Sequence, residues 1–134
     1  MTEVFVDSNV ILDVVTKDPN WLEWSVGQLN MLSLESKLIA NSIVFAEVSS
    51  RYRRLEEVDE VFDLMQLVME EIPRSALFLG GKAFKAYRDN RGERSGILPD
   101  FLIGAHAAVT GRTLLTRDRG RFQTYFPKLA LITP

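Results

Sequence analysis

The chain has 134 residues, no cysteine and a formal net charge of −2 at pH 7. This length suits a single domain, which we expect over residues 1–134, and the lack of cysteine excludes disulfides, thiolate zinc sites and cysteine nucleophiles. With 46% hydrophobic and 25% charged residues, the composition is that of an ordinary soluble globular protein.

The sequence also argues against a membrane protein. No apolar stretch approaches the roughly 18 residues that span a bilayer. The N-terminal letters MTEVFVD lack the basic region and apolar region of a signal peptide. Because a chain without cysteine is at home in a reducing compartment, we expect a cytoplasmic protein with no membrane association.

Short apolar runs alternate with helical patterns along the chain. Runs suited to buried strands fall at residues 4–6, 38–40, 68–72, 113–116 and 130–132. Helical patterns cover residues 9–16, 21–34, 42–54, 56–69, 75–90, 99–110 and 118–125. This alternation predicts an α/β fold, a three-layer α/β/α sandwich with a central parallel sheet of about five strands.

The helical patterns contain three features that need an explanation. Gly80 and Gly81 interrupt one pattern and indicate close packing. His106 is expected to be packed or half exposed. Trp21 and Trp24 lie beside an apolar stripe of the second helix, together with Met31, and are typical of either a core or a partner-binding face.

Charge is divided unevenly along the sequence. Residues 1–81 carry 6 Lys/Arg and 14 Asp/Glu, a balance of −8, whereas residues 82–128 carry 10 and 4, a balance of +6. A basic region of this kind is compatible with phosphate binding and also with solvated helix faces. The candidates for substrate contact are the arginines of RDNRGERSG and RDRGRF, namely Arg88, Arg91, Arg94, Arg117, Arg119 and Arg121.

Four acidic residues fall where strands end or helices begin. Asp7 follows the first strand, Glu47 lies early in the helix after the second, and Asp118 comes shortly after the fourth. Asp100 follows Pro99 and begins a helix. Ligands of parallel sheets bind beyond the carboxyl ends of the strands, so we expect these acids to converge there. Taken singly, each is also compatible with a turn, a helix cap or a surface position.

Four carboxylates at one place would repel each other. At 4 Å and an effective dielectric constant near 20, each pair costs about 4 kcal/mol. A fold tolerates this if some acids stay protonated or if a cation is bound. An oxygen-only ligand set suits Mg²⁺ or Mn²⁺, and such an ion supports phosphodiester hydrolysis.

The stretches DSNVILD, LPDFLIGAHA and TLLTRDRGRF, with Glu47 between the first two, resemble the PIN-domain nucleases. The similarity spans the whole chain and is greatest to the VapC-type toxins of bacterial toxin–antitoxin pairs. It implies a PIN-like fold and metal-dependent cleavage of RNA. The family's four catalytic acids would then be Asp7, Glu47, Asp100 and Asp118.

The resemblance also implies roles for these residues and for their neighbours. Asp7 and Asp100 would bind Mg²⁺ or Mn²⁺ most directly, with Asp118 helping directly or through water. Glu47 would orient or deprotonate the attacking water, and cleavage would leave a 5′-phosphate and a 3′-hydroxyl. The supporting polar positions fall on Asn9 and Thr116. The implied partners are an RNA substrate, a cognate antitoxin, for which the tryptophan-bearing helix offers a face, and a second copy in a homodimer.

Three alternatives remain open at this stage. The first alternative is a PIN-like module that binds RNA or a partner without cleaving RNA, although the four intact acids argue against it. A housekeeping RNA-processing nuclease would have no antitoxin. A phosphoaspartyl protein would use Asp7 as its nucleophile, but Asn9 stands where related phosphatases need a second acid.

Overall fold

The structure, a computed structural model, describes residues 2–90 and 98–134. Strands β1 Thr2–Val6, β2 Ser36–Ala40, β3 Leu67–Met69, β4 Thr113–Leu115 and β5 Leu131–Ile132 form one parallel sheet. Their order across the sheet is β3-β2-β1-β4-β5. This arrangement confirms the predicted central parallel sheet of five strands.

Helices cover both faces of the sheet. They are α1 Ser8–Val15, α2 Leu22–Glu35, α3 Ser42–Ser49, α4 Leu55–Leu64, α5 Arg74–Asp89, α6 Leu98–Val109 and α7 Arg119–Tyr125. The chain steps one way across the sheet from β1 to β3, and the other way from β3 through β4 to β5. Because crossovers between parallel strands are right-handed, α1–α4 cover one face and α5–α7 the other, which confirms the predicted sandwich.

The order of the strands creates a crevice between β1 and β4. The connection that leaves β1 runs to one side of the sheet, and the connection that leaves β4 runs to the other. In parallel sheets such a divergence opens a binding site beyond the carboxyl ends of the two strands. Asp7 follows β1, Thr116 follows β4, and the Asp7 amide donates to the Leu115 carbonyl at 2.9 Å. The crevice therefore lies where the sequence places the first acid.

The core consists of the central strands and the helices packed on them. Buried apolar side chains fill β1, β2 and β4, as expected for strands covered on both faces. Gly104 lets α6 approach its neighbours, since a β-carbon there would lie 2.6 Å from the ring of Phe126. Gly80 does the same between α5 and α6, because its β-carbon would meet Leu102 at 2.9 Å, whereas Gly81 has open space around it. The packing prediction was thus right for Gly80 and wrong for Gly81.

Two helices are shorter than predicted. The pattern over residues 42–54 predicted one helix, but α3 ends at Ser49. The pattern over 56–69 also ran too far, because α4 ends at Leu64 and Gln66 adopts a left-handed conformation with φ of 58°. That turn releases the chain into β3, which starts at Leu67. Among the described residues, none of the helices combines the length and the apolar character needed to cross a bilayer.

Candidate metal centre

Asp7 is held rigidly at the carboxyl end of β1. Only 3% of its surface is exposed. Its Oδ1 accepts a hydrogen bond from the Ser8 amide at 2.8 Å, which caps α1, and its Oδ2 accepts one from the Thr116 hydroxyl at 2.7 Å. The strand and the two neighbouring loops together fix this carboxylate in the crevice.

Glu47 reaches the same place from α3, which begins directly after β2. Asn41 caps that helix, and its Oδ1 accepts from the amides of Ile43 and Val44 at 3.0 and 3.1 Å. The Ser8 hydroxyl donates to Glu47 Oε1 at 2.7 Å and ties the acid to the start of α1. The cap of α3 and the first residue of α1 therefore orient the second carboxylate.

Asp100, in the first turn of α6, completes a group of three acids. One carboxylate oxygen from each of Asp7, Glu47 and Asp100 lies within 4.8 Å of the other two. Oxygens that share a magnesium-sized ion at about 2.1 Å lie at most about 4.2 Å apart, so small movements would bring these groups into coordination. An all-carboxylate donor set fits Mg²⁺ or Mn²⁺ and is unsuited to soft metals.

Burial and neighbouring acids disfavour the ionised forms of two acids of this group. Burial raises the pKa of Asp7 from its ordinary 3.8 to about 7; the nearby charges of Asp100 and Glu47 contribute to the rise, and the Thr116 hydrogen bond opposes it. Burial also raises the pKa of Asp100 from 3.8 to about 6, despite the opposing charge of Arg121. Without a cation, both carboxyl groups therefore hold protons up to near-neutral pH.

Asp118 lies next to the group of three and shares Arg121 with Asp100. Arg121 Nη1 donates to Asp100 Oδ2 and lies 3.3 Å from Asp118 Oδ2. The metal set expected from the resemblance was Asp7, Asp100 and Asp118. The three acids whose oxygens lie within 4.8 Å of one another are Asp7, Glu47 and Asp100, and a part for Asp118 in metal binding stays a prediction.

Asn9 and Thr116, the two supporting positions, connect α1 to the loop after β4. Thr116 Oγ1 donates to Asp7 and accepts from the Asp118 amide at 3.0 Å and from Asn9 Nδ2 at 3.3 Å. Asn9 Oδ1 accepts from the Arg117 amide at 3.3 Å. These bonds hold Asp7 and Asp118 at a fixed spacing across the crevice.

Arg117 is bonded to another acid and not to the group of three. Its Nε and Nη2 donate to the two oxygens of Asp13 at 2.7 and 2.9 Å, and its guanidinium lies 5.2 Å from the ring centre of Trp21. Asp13 is buried and also accepts from the Ser25 hydroxyl at 2.7 Å. We expected Arg117 to contact substrate, but its donors fasten the loop after β4 onto α1 and α2.

The other candidate arginines are spread over the surface. Arg119 donates to the Thr133 hydroxyl, and the Arg88 guanidinium lies 5.8 Å from the ring centre of Phe84. Arg91 and Arg94 lie outside the described residues. Of the arginines that the structure describes, Arg121 is the one bonded to an acid of the group of three.

His106 is fully buried, which confirms that it is packed. Its Nδ1 lies 3.1 Å from Asn41 Nδ2, and its Nε2 lies 2.8 Å from Glu70 Oε2. Since Asn41 Oδ1 already accepts two amides, Asn41 Nδ2 must donate, so Nδ1 accepts and Nε2 carries the proton. Burial lowers the pKa of His106, while hydrogen bonds from Arg112 above all lower that of Glu70 to about 2. A neutral imidazole thus joins α6, which carries Asp100, to the cap of α3, which carries Glu47.

Three side chains that position the site were not assigned from the sequence. These are Ser8, Asn41 and Asp13. Asn41 follows β2 directly, just as Asp7 follows β1, and a polar residue at the end of an apolar strand was the available signal. Asp13 lies in the apolar run of α1, where an acid needs a buried partner.

Comparison with known proteins agrees with this architecture. The family model described as PIN domain matches residues 4–126. No curated protein sequence matches the chain. Among solved structures it is similar to VapBC2 from Rickettsia felis, bound to a DNA fragment from their promoter, with 20% identity, a TM-score of 0.73 and 98% of each chain covered.

Two further complexes show the same fold. FitAcB from Neisseria gonorrhoeae is 20% identical, with a TM-score of 0.68, 98% of this chain and 97% of that chain covered. DNA-bound VapBC from Salmonella typhimurium is 16% identical, with a TM-score of 0.71, 99% of this chain and 98% of that chain covered. At these identities the likeness concerns the fold, whereas the family model spans most of the sequence. This chain belongs to the PIN domain family.

Proposed function

We propose that this protein is a metal-dependent endoribonuclease that acts in the cytoplasm as the toxin of a toxin–antitoxin pair. The observation that carries the proposal is the convergence of Asp7, Glu47 and Asp100 from three separate elements within 4.8 Å. The raised pKa values of Asp7 and Asp100 support it, because a bound divalent ion would favour the ionised carboxylates that burial disfavours.

We assign the three acids as the ligands of Mg²⁺ or Mn²⁺. The ion, when bound, supplies Lewis-acid polarisation of a phosphoryl oxygen and stabilises the charge that develops there. Thr116 and Ser8 keep two of the ligands in place, since they bond to Asp7 Oδ2 and Glu47 Oε1. Asp118 acts indirectly, because its contacts with Arg121 and Thr116 set the far wall of the crevice.

Hydrolysis then follows from the groups around the crevice. We assign Glu47 Oε1, which Ser8 orients, to the ion, and Glu47 Oε2 to accept the proton of the attacking water. The water oxygen bonds to phosphorus, the bond from phosphorus to the 3′-oxygen breaks, and the departing oxygen takes up a proton. The products are a 5′-phosphate and a 3′-hydroxyl.

An antitoxin partner is supported by the structural neighbours and by an apolar surface on this chain. The similar structures are the two-component assemblies named VapBC and FitAB. On this chain, Met31 and Leu34 on α2 are 55% and 83% exposed, and Leu64 at the end of α4 is 75% exposed. Met31 and Leu34 are three residues apart on α2, so these two exposed side chains share one side of that helix. The resemblance to VapC-type toxins also supports a homodimer.

The test of the enzyme is cleavage of RNA by the purified protein. With Mg²⁺ or Mn²⁺ we expect cleavage with 5′-phosphate ends, and none in EDTA. Asp100→Asn should slow the reaction by about 100-fold or more, because it removes a charged ligand and almost no volume. Asp59→Asn, an exposed acid on α4, is the matched control and should leave the rate unchanged. Binding of RNA without cleavage under all metal conditions would overturn the enzyme proposal in favour of a binding module.

The test of the partner uses the product of the adjacent gene. Co-expression should yield a complex that no longer cleaves RNA, and Leu34→Glu should prevent its formation while the free enzyme still cleaves. Light scattering of the isolated protein measures whether it is a dimer. Full cleavage of RNA in the presence of the co-expressed product would overturn the antitoxin proposal and favour a nuclease that has no antitoxin.

A further inference from the structure

Arg121 is fixed at both ends by acids of the crevice. Its backbone amide donates to Asp118 Oδ1 at 3.3 Å, at the start of α7. Its Nη1 donates to Asp100 Oδ2 and lies 3.3 Å from Asp118 Oδ2. The side chains of Arg121 and Asp100 are 27% and 23% exposed, so the pair is largely shielded from water. The guanidinium is therefore a built-in part of the crevice.

This guanidinium contacts both Asp100 and Asp118 through Nη1, as a cation that bridges two acids would. Enzymes that use two metal ions for phosphodiester cleavage hold them about 3.5–4 Å apart, bridged by a shared carboxylate. Asp100 is the acid that could be shared here, because it belongs to the group of three and also faces Asp118 across Arg121. A second ion between Asp100 and Asp118 would have to displace a positively charged side chain from both acids.

Arg121 retains donors with which to contact a substrate. A guanidinium has five N–H groups in a planar fork and remains charged at every physiological pH. Among the described residues, Arg121 contacts acids through Nη1. Its Nε and Nη2 contact no acid there. Paired N–H groups of this kind match two oxygens of a phosphate.

We propose that Arg121 takes the place of a second metal ion, so that the chain binds one divalent cation and uses the guanidinium as the second positive charge against the scissile phosphate. This inference rests on the proposed function, since it assumes a first ion at Asp7, Glu47 and Asp100. In this proposal, Asp118 holds Arg121 and does not bind the metal ion.

The test is the stoichiometry of Mn²⁺ binding, measured by titration calorimetry without RNA. The wild type should bind one ion per chain. Arg121→Gln, which removes the charge between Asp100 and Asp118, should bind two, and its first ion about tenfold more tightly because a nearby positive charge is gone. Arg121→Lys keeps the charge and should bind one. Arg119→Gln is the matched control, since Arg119 bonds to a hydroxyl, and should also bind one.

Cleavage gives a second readout. Arg121→Gln should cleave RNA slowly at low Mn²⁺ and recover as the Mn²⁺ concentration rises and a second ion enters, whereas the wild-type rate should stay constant once its single site is saturated. Two ions bound to an active wild type, or one ion bound to Arg121→Gln with no recovery at high Mn²⁺, would overturn the role of Arg121 and leave the nuclease proposal intact. A wild type that binds no Mn²⁺ would overturn both. The wild-type stoichiometry decides even if the glutamine variant fails to fold.

Discussion

Replacing Asp7 with asparagine should make the metal-free protein more stable at pH 8. Asp7 is an acid that folding buries and whose pKa rises from 3.8 to about 7. Its folded-state pKa exceeds its unfolded value, so the folded state binds more protons between about pH 4 and pH 7. Stability is therefore lost as the pH rises through this window, and at pH 8 the ionised Asp7 opposes folding.

The magnitude follows from the shift and from the hydrogen bonds of Asp7. The rise in the pKa of Asp7 from 3.8 to about 7 corresponds to about 4 kcal/mol of unfolding free energy at pH 8. Asparagine must turn its NH₂ group either toward Thr116 Oγ1, which already accepts from Asn9 and the Asp118 amide, or toward the Ser8 amide, which is itself a donor. We expect this mismatch to cost about 1–2 kcal/mol. The net gain of Asp7→Asn should be about 2–3 kcal/mol.

The assay is urea unfolding of both proteins in EDTA at pH 8 and pH 5. The advantage of Asp7→Asn should be present at pH 8 and disappear at pH 5, where Asp7 is protonated in the folded wild type. Asp59→Asn, at an exposed site, should shift stability by less than about 0.5 kcal/mol at either pH. A variant that is less stable than the wild type by the same amount at both pH values would refute the reasoning, because no strained ionised carboxylate would then exist.

Three other predictions concern metal, packing and the buried ion pair. Mg²⁺ at a hundredfold excess over its Kd should stabilise the wild type by about 2.7 kcal/mol in thermal unfolding and leave Asp100→Asn unchanged; an equal shift in both would place the ion elsewhere. Gly104→Ala should cost about 1–3 kcal/mol in urea unfolding because its methyl group would meet two aromatic rings, whereas Gly81→Ala, in open space within a helix, should stabilise by up to about 1 kcal/mol. Arg117→Gln should lower the free energy of unfolding by about 3–5 kcal/mol, because it leaves the Asp13 carboxylate buried without its arginine. Adding Asp13→Asn should recover part of that loss, and no recovery in the double variant would contradict the pairing.

The positions of the acids were predictable because local rules decide them. A carboxylate directly after a buried strand lies at the carboxyl edge of a parallel sheet whatever the loops do, and this rule placed Asp7 correctly in the crevice. The other two acids lie on helices, Asp100 in the first turn of α6 and Glu47 in the second turn of α3, which begins directly after β2. Two helices, α3 and α4, end earlier than predicted, and for α4 the reason is a turn that the apolar pattern does not show. The apolar stripe of α4 continues past Leu64, and only the left-handed turn at Gln66 ends the helix.

Sequence patterns could not predict which charged side chains pair with each other in and around the crevice. The sequence predicts equally well that Asp118 follows a strand and that Asp100 begins a helix. It does not show that Arg121 contacts both acids, because the position of Arg121 depends on how α7 packs beside α6. Arg117 reaches Asp13, which lies 104 positions away in the sequence. Nothing in RDRGRF distinguishes an arginine that faces a buried acid from one that faces solvent. Such contacts follow from tertiary packing, which is why the substrate role expected for Arg117 differs from its observed contacts.

The central claim is that Asp7, Glu47 and Asp100 bind the divalent ion. The most direct measurement is an anomalous difference map from crystals of the active protein saturated with Mn²⁺. The account predicts one peak per chain within about 2.5 Å of a carboxylate oxygen of each of these three residues. A map without a peak at this group, or with a peak only between Asp100 and Asp118 and Arg121 displaced, would contradict it.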